Sequence, residues 1–105
     1  MKTYKVWIDQ SAERDLQKIF RYISDTLNSP ETAQRIYLSI REQIRTLQKF
    51  LMRCKIVDEE PCASQGIHQM PVENYTVFYL IHEESHDVHV FRILYNRRNW
   101  THLLH

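Results

Sequence analysis

The 105-residue chain has one glycine, three prolines and two cysteines. No segment approaches the ~20 consecutive apolar residues that span a bilayer, which excludes a helical membrane protein. Met1-Lys2-Thr3-Tyr4-Lys5 runs straight into a strand-like segment without the apolar core of a secretory leader, so a cytoplasmic location is expected. Cys54 and Cys62 stand eight positions apart, which is not a zinc spacing. In that compartment they are expected as free thiols. Of the six histidines, His82, His86 and His89 come nearest to a cluster, but they surround an expected hairpin turn, where polar residues belong in any case. No metal and no cofactor are expected. There are no repeats and no low-complexity tracts.

With 43% hydrophobic and 26% charged residues, the composition is that of an ordinary soluble globular protein. The length suits a single domain, residues 1–105, with a modest core. The net charge of +1 is unevenly spread. From Val88 onward there are three arginines, Arg92, Arg97 and Arg98, and no acid, while the remainder carries 11 basic against 13 acidic residues. A local positive patch of this kind suits phosphate, carboxylate or acidic peptide partners. The plain alternative is a solvated strand end.

Tyr4-Lys5-Val6-Trp7-Ile8 is rich in aromatic and β-branched residues and reads as a first strand. Ser11 is expected to cap a helix whose apolar residues, Ala12, Leu16, Ile19, Phe20, Ile23 and Leu27, keep to one stripe. After Asn28, Ser29 is the natural N-cap of a second helix, Pro30 its first residue, and Glu31 favours its positive end. That helix carries Ala33, Ile36, Tyr37, Ile40, Ile44, Leu47 and Leu51 on one stripe. A linker this short makes the pair an antiparallel αα-hairpin. Each helix keeps an apolar face that the other cannot cover, so a sheet must cover the rest. Residues 53–65 read as a loop that ends at Gly66. Three strands follow, His68 to Val72, Tyr75 to Ile81 and Val88 to Tyr95, with short polar separators that imply consecutive antiparallel hairpins. The expected fold is α+β: an N-terminal strand, an αα-hairpin and a three-stranded antiparallel meander (β-α-α-β-β-β), with the helices on one face of the sheet. Leu16, Ile19, Ile23, Ile36, Ile40, Ile44 and Leu47 are expected to pack on Val77, Tyr79 and Val90 or their opposite-face neighbours.

The segments AERDLQKIFRYI, SPETAQRIYLSI, GIHQMPVENYTVFYLI and VHVFRILYNRRNW, in this order and spacing, together resemble the RelE/ParE family of bacterial type II toxin–antitoxin toxins. The resemblance covers about Tyr4 to Leu104. It implies a helical hairpin on an antiparallel sheet, a role in growth inhibition or plasmid stabilisation, and a cognate antitoxin encoded alongside. It also implies one of two targets, the ribosome for RelE-like members and DNA gyrase for ParE-like members. DNA is reached only indirectly, through the antitoxin, and no membrane is involved.

Metal-free RNA cleavage needs a base for the 2′-hydroxyl, an acid for the leaving oxygen and cations for the phosphorane. RelE-like members are expected to carry lysines and arginines on the middle strands for this purpose. The matching positions here are Ile67, Gln69 and Thr76, none of them charged. The remaining catalytic candidates are Arg98 or its neighbour Arg97, with His68, Tyr75 and His102 for proton transfer. Strand alternation puts His68 on a face with Met70, and Arg92 on one with Val90 and Leu94. ParE-like members resemble the chain more closely, though they show arginine where His68 stands, and glycine and aspartate where Asn96 and Asn99 stand.

Arg92, Asn96, Arg97, Arg98 and Trp100 are the candidate contacts to target or antitoxin. Arg92, mid-strand, has a structural alternative: a carboxylate partner inside the fold, or a place on the sheet edge. Arg97 and Arg98 sit at a sharp turn without local acids. Trp100, Leu103 and Leu104 have the spacing of a tail packed on the sheet, and Trp7 reads as core or rim. The expected function is a ParE-like toxin that inhibits DNA gyrase by binding. The alternatives are a RelE-like ribosome-dependent mRNA endonuclease and a degenerate toxin that binds only its antitoxin.

Overall fold

Lys5–Ile8 forms β1, and the chain then turns at Asp9 into α1, Gln10–Arg21. A π-helical turn, Tyr22–Thr26, leads to α2, Pro30–Arg45, and a short 3-10 turn, Thr46–Gln48. The sheet continues with β2 (His68–Val72), β3 (Tyr75–His82) and β4 (Asp87–Tyr95). The computed structural model describes residues 3–48 and 66–96. Gly66 has φ 71, in the left-handed region that glycine enters without steric cost, and leads the chain into β2.

The strand order is β1-β4-β3-β2. β2, β3 and β4 are antiparallel neighbours, so the expected meander is present. β1 pairs with β4 in parallel, Lys5 opposite Asp87 and Ile8 opposite Val90. A parallel pair needs a long crossover, and the chain between β1 and β4 supplies it.

The helices cover one face of this sheet. Leu16, Ile23, Ile40, Ile44 and Leu47 are buried against Val77, Tyr79, Val88, Val90 and Ile93, with Ile19 and Ile36 half-buried at the margin. A second buried cluster, Ile67, Phe78 and Leu94, lies on the other side of the strands, flanked by Leu80 and Phe91. The register shifts on β4 between Val90 and Arg92, leaving Phe91 as an extra residue. This bulge reverses the alternation of β4. Val90 therefore faces the main core while Leu94 belongs to the second cluster, which corrects the expectation that Arg92 shares one face with both.

Two helix expectations also change. Asp9, in extended conformation, is the N-cap of α1 and makes no side-chain cap bond. Ser11 lies inside the first turn, and its hydroxyl donates to the Phe91 carbonyl at 2.6 Å instead of capping. Leu27, expected on the apolar stripe, is 52% exposed, because the wider π-turn carries it off the 3.6-residue period. Asn28, at φ 52, then reverses the chain. Ser29 and Pro30 begin α2 as expected, although the Ser29 hydroxyl donates to the Leu27 carbonyl at 3.2 Å.

Candidate functional site

Ile67 just before β2, Gln69 on β2 and Thr76 on β3 are the positions singled out by the resemblance. Ile67 is 2% exposed and belongs to the second apolar cluster, and Gln69 is half-buried opposite Phe78. Thr76 is buried, with its hydroxyl donating to the Asn96 side-chain carbonyl. A second bond, from the Asn96 backbone N–H to the Asn74 carbonyl at 3.0 Å, ties the end of β4 to the β2–β3 turn.

The proton-transfer candidates among the described residues are not brought together. His68 is buried, its ring stacked on that of Tyr79 at 5.2 Å between centroids, directly across the β2–β3 pair. Tyr75 lies four residues before Tyr79 on β3, roughly 13 Å away at the usual strand rise. Its ring meets that of Tyr95 at 5.5 Å. Burial first, then the neighbouring Tyr95 and Tyr22, pushes the Tyr75 hydroxyl above its ordinary value.

Arg92 has the structural partner that its mid-strand position allowed. Its Nε donates to Asp15 Oδ2 at 2.8 Å, and a terminal guanidinium nitrogen donates to Oδ1 at 3.3 Å. The same Oδ2 accepts the Ile93 backbone N–H at 2.9 Å. Asp15 thus fixes α1 to β4 beyond the point where β1 ends, one helical turn after Ser11 does the same at Phe91. Arg92 thus has the internal carboxylate partner of its structural alternative and acts as a latch between helix and sheet, with its side chain still 29% exposed. Neither Ser11 nor Asp15 was singled out for this from sequence; their i, i+4 spacing on the flank of the apolar stripe was the available signal.

At the opposite end of the sheet, the indole of Trp7 lies parallel to His89 at 6.3 Å and donates from Nε1 to Asp87 Oδ1 at 3.1 Å. His89 Nδ1 is 3.1 Å from Asp9 Oδ1, and His82 meets the His89 ring edge-on at 5.0 Å. His86 meets Tyr4 edge-on. Among the described residues no three His, Cys, Asp or Glu side chains form a metal-holding group. Arg97, Arg98, Asn99, Trp100 and His102 lie outside the described residues, as do Cys54 and Cys62.

A family model described as the ParE toxin of the type II toxin–antitoxin system, parDE, matches residues 6–100. The chain belongs to the ParE toxin family. This ParE-family toxin shares its fold with the chromosomal ParDE system from P. aeruginosa, at TM-score 0.72 and 20% identity over 89% of this chain and 96% of that one. The RelBE2 toxin–antitoxin complex from Mycobacterium tuberculosis gives TM-score 0.68 and 23% identity, covering 89% and 98% of the two chains. The archaeal RelE–RelB complex from Pyrococcus horikoshii OT3 gives 0.54 and 14%, covering 92% and 99%. No curated protein sequence matches this ParE-family chain. No described helix is long and apolar enough to cross a membrane.

Proposed function

We propose that this type II toxin is ParE-like in action: it inhibits DNA gyrase by binding and is neutralised by a cognate antitoxin encoded beside it. The observation that carries this reading is the state of Ile67, Gln69 and Thr76. An isoleucine in an apolar cluster and a threonine whose hydroxyl is committed to Asn96 supply neither a proton acceptor nor a cation for a phosphorane. The separation of His68 from Tyr75 supports it further.

The antitoxin part draws support from the similar structures, which are described as toxin–antitoxin systems or complexes. It also draws on a cleft of about 250 Å³ between the helices, lined by Gln17, Phe20, Arg21 and Tyr37. Such a cleft suits the apolar side chains of an amphipathic partner segment.

A supercoiling assay with purified toxin and gyrase tests the target, with primer extension on translated messages after induction as its complement. Loss of supercoiling, restored by the neighbouring gene product, is the expected result. Discrete cuts inside translated codons that disappear with Arg98→Ala, together with unaffected supercoiling, would replace gyrase binding by ribosome-dependent mRNA cleavage.

A further inference from the structure

Where β4 ends, three contacts hold the chain just ahead of Arg97 and Arg98. The Asn96 backbone N–H donates to the Asn74 carbonyl in the β2–β3 turn at 3.0 Å. The Tyr95 ring meets that of Tyr75 edge-on at 5.5 Å. From the sheet face that carries Leu94, the Thr76 hydroxyl donates to the side-chain carbonyl of Asn96. Tyr75 and Thr76 are neighbours on β3 and point to opposite faces. The last residues of β4 are therefore held from both sides of the sheet and along its hydrogen-bonding edge.

These contacts differ in weight. Thr76 is 3% exposed, whereas Asn96 is exposed. A hydroxyl that is buried gives its bond little competition from water. The asparagine amide stands a single methylene from its backbone, so this bond restrains the Cα of Asn96 as well as its side chain. The Arg35–Glu73 pair at the same turn, 2.8 Å long, is exposed at both ends and adds little. Arg97 is joined to Asn96 by a planar peptide unit, and only the soft backbone dihedrals on either side of that unit can redirect it. A side chain that binds a partner loses less freedom when the backbone beneath it is already held.

We propose that Thr76 is a positioning residue for partner binding. Through its hydroxyl on Asn96 it sets the direction in which the chain leaves β4, and so aims Arg97 and Arg98 at an acidic segment of the antitoxin. The proposal rests on the reading of those two arginines as partner contacts, and it gives Asn96 a supporting place beneath them instead of a contact of its own.

Asn96→Ala would strand the buried hydroxyl and confuse folding with binding. Thr76→Val avoids this, because the exposed Asn96 amide can turn to water. Titration calorimetry of the full chain with the purified neighbouring gene product, beside melting curves, tests the proposal. Thr76→Val should melt close to wild type and bind about three- to tenfold more weakly. Thr76→Ser keeps the hydroxyl but loses a buried methyl, so it should melt lower and yet bind within about twofold of wild type. A merely structural role would rank the two variants the other way. In the Arg97→Ala, Arg98→Ala background, Thr76→Val should cause no further loss of affinity. Wild-type affinity in Thr76→Val, beside a clear loss in the arginine variant, would overturn the positioning role. So would an equal loss from Thr76→Val with and without the arginines, because the hydroxyl would then act independently of them. Wild-type affinity in the arginine variant itself would instead remove the reading of Arg97 and Arg98 on which the proposal stands.

Discussion

Asp15 of α1 and Arg92 of β4 are joined by two hydrogen bonds, 2.8 Å from Nε and 3.3 Å from a terminal nitrogen. The carboxylate also accepts the Ile93 N–H. Asp15→Ala leaves that backbone donor and a guanidinium without their acceptor. The expected loss is about 2 to 4 kcal/mol, below the fully buried range because Arg92 is 29% exposed. Arg92→Leu should cost a similar amount: Ile93 keeps its bond to Asp15, but the carboxylate, 9% exposed, loses its cation. Denaturant titration of the two single variants and the double variant measures the coupling. If Asp15→Ala melts like wild type, the latch does not hold helix to sheet.

Ile40 is fully buried in the main core, between the helical hairpin and the sheet. Ile40→Ala should cost about 2 to 5 kcal/mol, the range for buried large-to-small changes. Leu38→Ala, two residues away at an exposed position, should stay within about 0.5 kcal/mol. Thermal melts that fail to separate the two would mean that α2 presents a different face to the sheet.

Asp87 provides a pH test. Hydrogen bonds first from Trp7 and then from Ser85 hold its carboxyl below the ordinary value of 3.8. A depressed folded-state value means that the ionised form adds stability above the unfolded value, and that this is lost as pH falls through the folded one. The melting temperature of wild type should therefore exceed that of Asp87→Asn near neutrality, and the gap should close in strong acid, below that ordinary value. A gap that persists unchanged there would assign the difference to packing.

Arg97 and Arg98, read from sequence as a partner contact, are tested by replacing both with Ala. The melting temperature should hardly move, while affinity for the neighbouring gene product, by titration calorimetry, should fall at least tenfold, or about 1.4 kcal/mol. A large drop in melting temperature at unchanged affinity would make both arginines structural.

The sequence by itself determined the elements and their order, because the signals involved are local. Pro30 begins α2 since its fixed φ and missing N–H suit the first helical turn, and Glu73-Asn74 is a polar break between two apolar runs. Ile40, Ile44 and Leu47 could be assigned to the core because a 3.6-residue period leaves them one way to face. The uncharged residues at Ile67, Gln69 and Thr76 were visible too, but only through the resemblance that said what to look for.

Tertiary structure alone decided the rest, since pairing between distant segments leaves no mark in local pattern. Nothing around Lys5–Ile8 indicates that β1 lies parallel to β4, a partner about 80 residues along the chain. The extra residue at Phe91 reverses the two-residue alternation after Val90, so a face assignment that is right at Val90 is wrong at Leu94. Arg92 could have faced a partner or an internal acid with equal consistency. Only the approach of α1 to the part of β4 left open beyond β1 brought Asp15 within hydrogen-bonding distance and made it a latch.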